Sequence, residues 1–544
     1  MIYYMTHVMY KSKGIMQELQ KIKVNKDTLT SSDSNLFIGD IFTPTEWGIF
    51  AIERFGFFEK WLSGYTVFDP TMGEGNLLEA FILLGISKKL SVNELPIHNL
   101  FGNELNTIYY QNAIAKFKQK YGIDLSSNFT NKDIFVLKPR KYNLILGNPP
   151  WQNFVDLPEE YKEKIKPFFL KYGLVKDHQS VLLGGSRIDI SAVIIQLSIK
   201  DFLKENGEAV FFAPLSIFLN DGANKNFRLY QVDKTSFKIT AIYDFNDVEV
   251  FKNVSTRYGL FHLIRNKETT FPIPYYRYEN NQWQKYFAST VFHKTDPLSI
   301  SKECKVFSKN DLPKIIIKKE STPRQGVNTC GANDVFFFDN YQDIDDSFAV
   351  ISNKVHKQVI LPKKFIFPLI TAKNFYTDNL YDQNIISVSN DNMYKWVLLP
   401  YNQNGKPLDL SQLQQYHELY SYLKKNKDIL VKRKGTMLKT LINRGQWWAL
   451  LGVGEYCFYP YKIVWEAYGK SDFKPLIFEG KWQANQSLHA YIPVKSIEEA
   501  KRIQKELCNK AIENYLLSLK MEGTMNWAQP GKIKKFIEYQ ADED

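Results

Sequence analysis

The sequence predicts an α/β chain, with a doubly wound parallel sheet in its first half and an α+β region in its second. From Phe37 to about Ile264, short apolar runs alternate with longer stretches of helical period. These runs are Thr66-Val67-Phe68, Leu144-Ile145-Leu146, Ala209-Val210-Phe211-Phe212 and Ile239-Thr240-Ala241-Ile242-Tyr243. Continuous apolar runs are what strands buried on both faces need, and the intervening helices supply right-handed crossovers. From about Asn266, Tyr, Trp, Asn and Lys become frequent, and strand-like pieces such as Val335-Phe336-Phe337-Phe338 are short and joined by polar connections. The expected organisation is a polar extension over 1–38, a first domain over 39–290 and a second over 291–544.

Composition narrows the function classes. The chain has 544 residues, enough for about two to four domains. A formal charge of +12 and an isoelectric point near 9.0 favour a polyanionic partner, nucleic acid first, although lysines scattered on solvated helices give the same total. Cys304, Cys330, Cys457 and Cys508 are far apart without C-x-x-C pairing, so reduced structural thiols are expected rather than a disulfide framework or zinc site. No metal ligand set is expected. No apolar run reaches the ~18 residues of a membrane span, and Met1-Ile2-Tyr3-Tyr4-Met5 lacks the basic-then-apolar order of a signal peptide. The expected location is cytoplasmic.

The first element with chemistry is Val67-Phe68-Asp69-Pro70-Thr71-Met72-Gly73-Glu74-Gly75-Asn76-Leu77-Leu78, a strand passing through a glycine turn into a helix. Backbone N–H groups lie open to a ligand there, and Asp69 suits a cationic ligand better than a pyrophosphate. An ordinary βα turn is the bland alternative. Next, Asn99-Leu100-Phe101-Gly102-Asn103-Glu104-Leu105 is a strand ending in an acid, the position from which nucleoside-binding sheets hold a ribose diol. Asn131-Lys132-Asp133-Ile134-Phe135 ends another strand, where a carboxylate accepts from an adenine amino group and an apolar neighbour packs on the ring. Either acid is otherwise a solvated strand end.

The most informative element follows the apolar run Tyr142-Asn143-Leu144-Ile145-Leu146-Gly147. It is Asn148-Pro149-Pro150-Trp151. Two prolines hold an extended backbone that only accepts hydrogen bonds, so the Asn148 side-chain oxygen and the Pro149 carbonyl together suit both hydrogens of an exocyclic amine. Trp151 offers a face on which a planar base stacks. A proline turn after a buried strand is the bland alternative.

In this order the pieces resemble the gamma-class amino-methyltransferases of DNA, of the TaqI-methylase type, over most of the chain. Gly39-Asp40-Ile41-Phe42-Thr43-Pro44 resembles the family's first S-adenosylmethionine contact, and Asp69 to Gly75 its methionine-binding turn. Glu104 and Asp133 match its ribose and adenine ligands, and Asn148-Pro149-Pro150-Trp151 its catalytic tetrad. Val250-Phe251-Lys252-Asn253-Val254-Ser255 resembles the loop whose aromatic stacks on the other face of the extruded base. Asp189-Ile190-Ser191-Ala192-Val193 and Gly207-Glu208-Ala209-Val210-Phe211-Phe212-Ala213-Pro214 resemble its next helix and strand. Ile134, where an aromatic often stands, and Trp151, in place of the commoner Tyr, depart from the pattern.

The resemblance implies a Rossmann-like S-adenosylmethionine-dependent catalytic domain over 39–290 and a target-recognition domain over 291–544. It implies transfer of a methyl group from S-adenosylmethionine to N6 of a flipped-out adenine in double-stranded DNA. A bacterial or archaeal restriction-modification system would be the setting, near the nucleoid, with a separate cognate endonuclease as companion. The implied catalytic residues are Asn148, Pro149, Pro150, Trp151 and Phe251. Thr43, Pro44, Asp69, Thr71, Gly73, Gly75, Glu104, Asp133, Ile134 and Asn148 are implied to hold the cofactor. Cytosine N4 is the nearest rival target; a protein glutamine, an RNA amine or a binding subunit without catalysis are more distant ones.

In the second half, Arg324-Gln325-Gly326-Val327-Asn328-Thr329-Cys330-Gly331-Ala332-Asn333-Asp334-Val335-Phe336-Phe337 resembles the opening of the family's target-recognition domain. The stretch Lys424-Lys425-Asn426-Lys427, Lys432-Arg433-Lys434, Lys439, Arg444, Trp447-Trp448 interleaves cations with aromatics, as phosphate-tracking surfaces do. Lys432, Arg433, Lys434 and Arg444 are the expected DNA contacts, against the plainer reading of a solvated helix packed by two tryptophans. Asp472 with Glu479-Gly480-Lys481 has the look of a magnesium-binding nuclease core, but such triplets are common in Lys-rich chains, and cleavage is not expected.

Overall fold

Short, fully buried apolar runs become the strands of one large sheet. The computed structural model describes residues 42–175, 188–220, 224–251, 254, 256–290, 293–303, 312–370, 385–387, 395–467, 473–485, 489–518 and 528–541. The expected extension over 1–38, Gly39 to Ile41, Lys252, Asn253, Ser255, Cys304 and Asp472 lie outside those residues. The chain divides into two units, Met1–Phe307 and Ser308–Asp544.

In chain order the first unit begins with helices Thr45–Arg54 (α1) and Phe57–Leu62 (α2), strand Val67–Asp69 (β1) and helix Asn76–Ser87 (α3). Strand Leu100–Glu104 (β2), helix Thr107–Tyr121 (α4) and strands Phe129–Asn131 (β3) and Tyr142–Gly147 (β4) follow. Then come helices Glu159–Lys171 (α5) and Ile190–Leu197 (α6), and strand Leu203–Pro214 (β5). Gln231–Val232 (β6), Thr235–Asp244 (β7), Tyr258–Arg265 (β8), Ile273–Glu279 (β9), Gln282–Ser289 (β10) and Ser299–Ser301 (β11) complete the sheet.

The strand order is β11-β10-β9-β7-β8-β5-β4-β1-β2-β3, with β6 paired to β7. Strands β3, β2, β1, β4 and β5 run parallel, β8 is antiparallel to both β5 and β7, and β7 runs parallel to β9. This is the Rossmann-like α/β class. Chain order reverses between β1 and β4, which pair through Val67 with Leu144 and Phe68 with Ile145. Such a switch point leaves a crevice at the carboxyl ends of the strands, because the crossovers on either side lead away in opposite directions. The apolar sides of α1, α3 and α4 cover the sheet through Ile52, Leu78, Phe81, Ile82 and Phe117. The sheet continues through β11, beyond the boundary expected at 290/291.

The second unit is α+β. Its sheets include a five-stranded one, in which Arg324–Gln325, His489–Val494, Tyr461–Glu466, Leu476–Glu479 and Ile385–Ser387 follow one another. The core gathers Trp448, Trp482, Phe336, Leu423 and Tyr491. One local expectation is corrected: Val335-Phe336-Phe337-Phe338 is not all strand, because helix Asn333–Phe336 ends where strand Phe337–Phe338 begins. Val335 and Phe336 are both buried there, so the apolar run reports burial and not extension.

Candidate active site

The site grows from consecutive strand ends. β1 delivers Asp69, which is 1% exposed and whose Oδ1 accepts from the Thr71 N–H at 3.1 Å. Burial pushes its carboxyl well above the ordinary range; the Thr71 hydrogen bond opposes that and the negative charge of Glu104 adds to it. The turn that follows needs left-handed backbone at Gly73 (φ 53°) and Gly75 (φ 77°). A side chain at Gly73 would also strike the Phe42 ring, 2.7 Å from the position of its Cβ. Glycine therefore keeps a cradle open at the start of α3.

Glu104, at the end of β2, faces this turn. Its Oε2 accepts from the Gly73 N–H at 2.8 Å and its Oε1 from the Asn106 N–H at 2.7 Å. These contacts hold the Glu104 carboxylate in a fixed orientation against the turn. Asp133 caps the short turn Ile134–Val136 through the Phe135 N–H (3.1 Å) and pairs with Lys164 at 2.7 Å. Ile134 is buried beside it.

Asn148 lies half-buried at the end of β4. Its Nδ2 donates to Thr43 Oγ1 at 3.0 Å, and Thr71 Oγ1 donates to its backbone carbonyl at 3.2 Å. The structure therefore brings together Thr43, Thr71 and Asn148 from widely separated sequence positions. Pro44 sits at the N-cap of α1 and Pro149 is buried.

The expected aromatic sandwich takes a different form. Trp151 and Phe251 touch edge to face, with centroids 4.8 Å apart and planes at 85°. A base stacked between two rings needs them about 7 Å apart, twice the ~3.5 Å contact distance. Phe251 is 3% exposed, and Tyr258 stands 5.0 Å from it and 5.4 Å from Trp151. The pair is closed in this structure because three rings satisfy one another's surfaces.

Several supporting residues are not apparent from the sequence. Asn103 is buried, and its Nδ2 donates to the carbonyls of Pro70 (3.2 Å) and Lys132 (3.0 Å), tying the loops after β1 and β3 to β2. The Tyr258 hydroxyl accepts from the N–H groups of Val250 (3.0 Å) and Phe251 (3.3 Å). Asp189 caps α6 through the Ser191 N–H at 2.8 Å, while the Ile190 N–H donates to the Gln152 carbonyl at 2.9 Å, so α6 anchors the loop after Trp151. Asn103 adjoins Glu104 in sequence, and Asp189 opens the stretch that resembles the family's next helix; the Tyr258 contacts are visible only in space.

In the second unit, Lys432, Lys434 and Arg444 are exposed. Arg433 corrects the expectation. It is 5% exposed and donates to the carbonyls of Leu430 (3.0 Å), Thr329 (3.1 Å) and Trp447 (2.7 Å). A guanidinium fork can satisfy several converging carbonyls inside a fold, so Arg433 is an internal clamp and does not face phosphate. Trp447 and Trp448 are packed in the core. Glu479 accepts from the Tyr461 hydroxyl at 3.2 Å, and among the described residues no His, Cys, Asp or Glu cluster is arranged to hold a metal. Among the described residues no helix is long and apolar enough to cross a membrane. Cys330 is partly buried, Cys457 buried and Cys508 exposed, all free thiols.

S-adenosylmethionine fits the residues present: a glycine cradle that a Cβ would fill, a buried carboxylate for a cationic group, and an oriented carboxylate at the end of β2. Residues 59–251 match the Eco57I restriction-modification methylase family. The type II methyltransferases M.HincII and M.HindII of Haemophilus influenzae are each 26% identical over 230 residues, 42% of this chain and 38% and 36% of theirs. The chain thus matches well under half the length of these curated relatives. Two solved structures share the fold over most of the chain. The type IIL restriction-modification enzyme MmeI in complex with DNA aligns with a TM-score of 0.54 at 14% identity, over 90% of this chain and 65% of that one. A nuclease-deletion mutant of the type ISP restriction-modification enzyme LlaGI, with a DNA substrate mimic, aligns with a TM-score of 0.50 at 13% identity, over 91% and 46%. Over residues 59–251, therefore, this chain is similar to the methylase domain of the Eco57I restriction-modification family.

Proposed function

We propose that the chain is a site-specific DNA methyltransferase of a restriction-modification system, acting with S-adenosylmethionine on the N6 amino group of an extruded adenine. The observation that carries this reading is Asn148, held by Thr43 and Thr71 at the switch point, one strand from the buried carboxylate of Asp69. With Nδ2 turned to Thr43, the oxygen of the amide and the Pro149 carbonyl serve as acceptors for the two hydrogens of an exocyclic amine. That grip draws the nitrogen lone pair out of conjugation with the ring. S-adenosylmethionine supplies a methyl group already activated on a sulfonium. Asp69 and the Gly73–Gly75 turn would hold its methionine part, Glu104 its ribose, and Asp133 with Ile134 its adenine.

Alignment therefore contributes most of the rate, and no strong base is required. Extrusion of the base costs a few kcal/mol in unpairing, offset by stacking on Trp151 once the Trp151–Phe251 contact opens. The exposed Lys432, Lys434 and Arg444 would contact phosphates, and a separate endonuclease would complete the system. An asparagine and a proline carbonyl grip a cytosine amine equally well, so N4 of cytosine is the rival target. The reading is tested with Asn148→Ala, measuring cofactor affinity by calorimetry and methyl transfer to unmethylated bacterial DNA. Transfer is expected to fall by about 10² to 10³, as when one preorganised polar group is removed from a reaction centre, with affinity unchanged within about twofold. Full transfer by this variant would overturn the reading.

A further inference from the structure

We propose that the second unit carries a phosphate site between Arg324 and Lys534, and that it takes one backbone phosphate of bound DNA. The inference lies outside the catalytic site and rests on the reading that this chain binds DNA. A pocket of about 310 Å³ is lined there chiefly by the polar side chains of Arg324, Gln325, Gln529 and Lys534. That volume is at the low end of the ~300–1,000 Å³ of small-molecule sites, so it suits a small polar group. Among the described residues no carboxylate lines it.

The lining comes from two segments far apart in sequence that the fold laces together. Strand Ile315–Ile317 pairs in parallel with Ile537–Tyr539, and Thr322 Oγ1 and the Tyr539 hydroxyl share a hydrogen bond of 3.2 Å. Arg324 lies in the five-stranded sheet, opposite Tyr491, and its guanidinium carbon sits 4.5 Å from the centre of the Tyr456 ring. A ring face holds a cation in place and leaves its charge uncompensated. Arg324 Nε is enclosed yet finds no hydrogen-bond partner among the described residues, whereas three carbonyls grip the guanidinium of Arg433. A fixed guanidinium without an acceptor is a fork for an oxyanion, and Lys534 adds a second cation from the other segment. Lys534 and Gly531 are exposed, so a polymer backbone can lie across the mouth, and a net charge of +12 favours a polyanion over a free ion.

The test uses the full chain and a random-sequence DNA duplex titrated across a range of salt. Arg324→Gln with Lys534→Ala removes both cations. Gly531→Glu instead adds a carboxylate at the rim, where a Cβ meets nothing within 4 Å, so it changes charge without disturbing packing; Gly531→Gln is its neutral control. Affinity should fall roughly tenfold in the double variant and in Gly531→Glu, and stay within about twofold in Gly531→Gln. Because both cations meet one phosphate, the salt slope of the double variant should drop by ~0.9; a drop twice as large would overturn the shared phosphate. Inorganic phosphate, titrated by phosphorus NMR, separates the two sources of the anion. Phosphate binding lost in Gly531→Glu with DNA affinity unchanged would overturn the assignment to DNA, and DNA affinity, salt slope and phosphate binding all unchanged would overturn the site itself. Wild-type protein that binds no DNA would overturn the reading as a DNA methyltransferase instead, while the phosphate titration would still decide the pocket.

Discussion

The acidic strand ends of the first unit and the basic stretch of the second both stand out by their charge in sequence, yet they do opposite things with it. Asp69 is buried where its charge is costly, beside the glycine cradle, and Glu104 faces the same turn. Arg433 is also buried, and burial pulls its guanidinium below its ordinary value, but there three backbone carbonyls grip it within the fold. A buried charge beside an open cradle suits a ligand of opposite sign; one gripped by three backbone carbonyls suits stability. Burial alone does not separate the two cases, but the surroundings of each charge do.

The largest effect that sharpens this contrast belongs to Arg433. Arg433→Ala strips three buried carbonyls of a donor, and at ~1–3 kcal/mol for each unsatisfied group it should destabilise the second unit by about 3 kcal/mol or more. The melting temperature would fall by roughly 10 °C, at ~2–4 °C per kcal/mol for a unit of this size. Lys432→Ala should leave melting within about 1 °C and reduce the salt slope of DNA binding by ~0.9, one phosphate's share. Calorimetric melting and DNA titration against salt check both; equal melting for the two variants would break the comparison.

Asp69→Asn should move the other way. A carboxyl raised by burial costs stability once pH exceeds its unfolded value, so the uncharged amide, still able to accept from Thr71, should raise the melting temperature of the cofactor-free protein by a few degrees at neutral pH. Affinity for S-adenosylmethionine should drop about tenfold or more, because the cationic group loses its counter-charge. A variant less stable than wild type, with unchanged affinity, would show that Asp69 serves the fold.

The smallest effect lies where Glu208 of β5 meets His262 of β8 and Lys60 of α2. Burial acts upward on Glu208, but its contacts with His262 and Lys60 outweigh that and hold it at about 2. Burial keeps His262 below its ordinary value, with Glu208 opposing. Both folded values lie below the unfolded ones, so the stability these groups contribute is present at neutral pH and lost on acidification. The His262 part starts to go below 6.5, and the Glu208 part goes between 4.5 and about 2. Melting temperatures across this range should steepen below 4.5 in wild type, and less in Glu208→Gln.

The parallel sheet and the strand-end positions of Asp69, Glu104 and Asn148 were legible because each rests on a local pattern: an apolar run followed by a turn. The Thr43–Asn148 contact was not, since it joins strand end and helix start across 105 residues. The mutual packing of Trp151, Phe251 and Tyr258 was invisible for the same reason. Arg433 misled because a Lys-Arg-Lys run gives no sign of which cation turns inward; only the fold decides that Lys432 and Lys434 face solvent and Arg433 does not.

The central claim is that the Asn148 grip acts on a nucleobase amine, and one measurement meets it directly. Purified protein is incubated with S-adenosylmethionine and bacterial DNA lacking methylation, and the DNA is digested to nucleosides and weighed by mass spectrometry. The account predicts the nucleoside of N6-methyladenine, abolished in Asn148→Ala. N4-methylcytosine would keep the site and contradict the target, and no methylated nucleoside from protein shown to bind the cofactor would contradict the account itself.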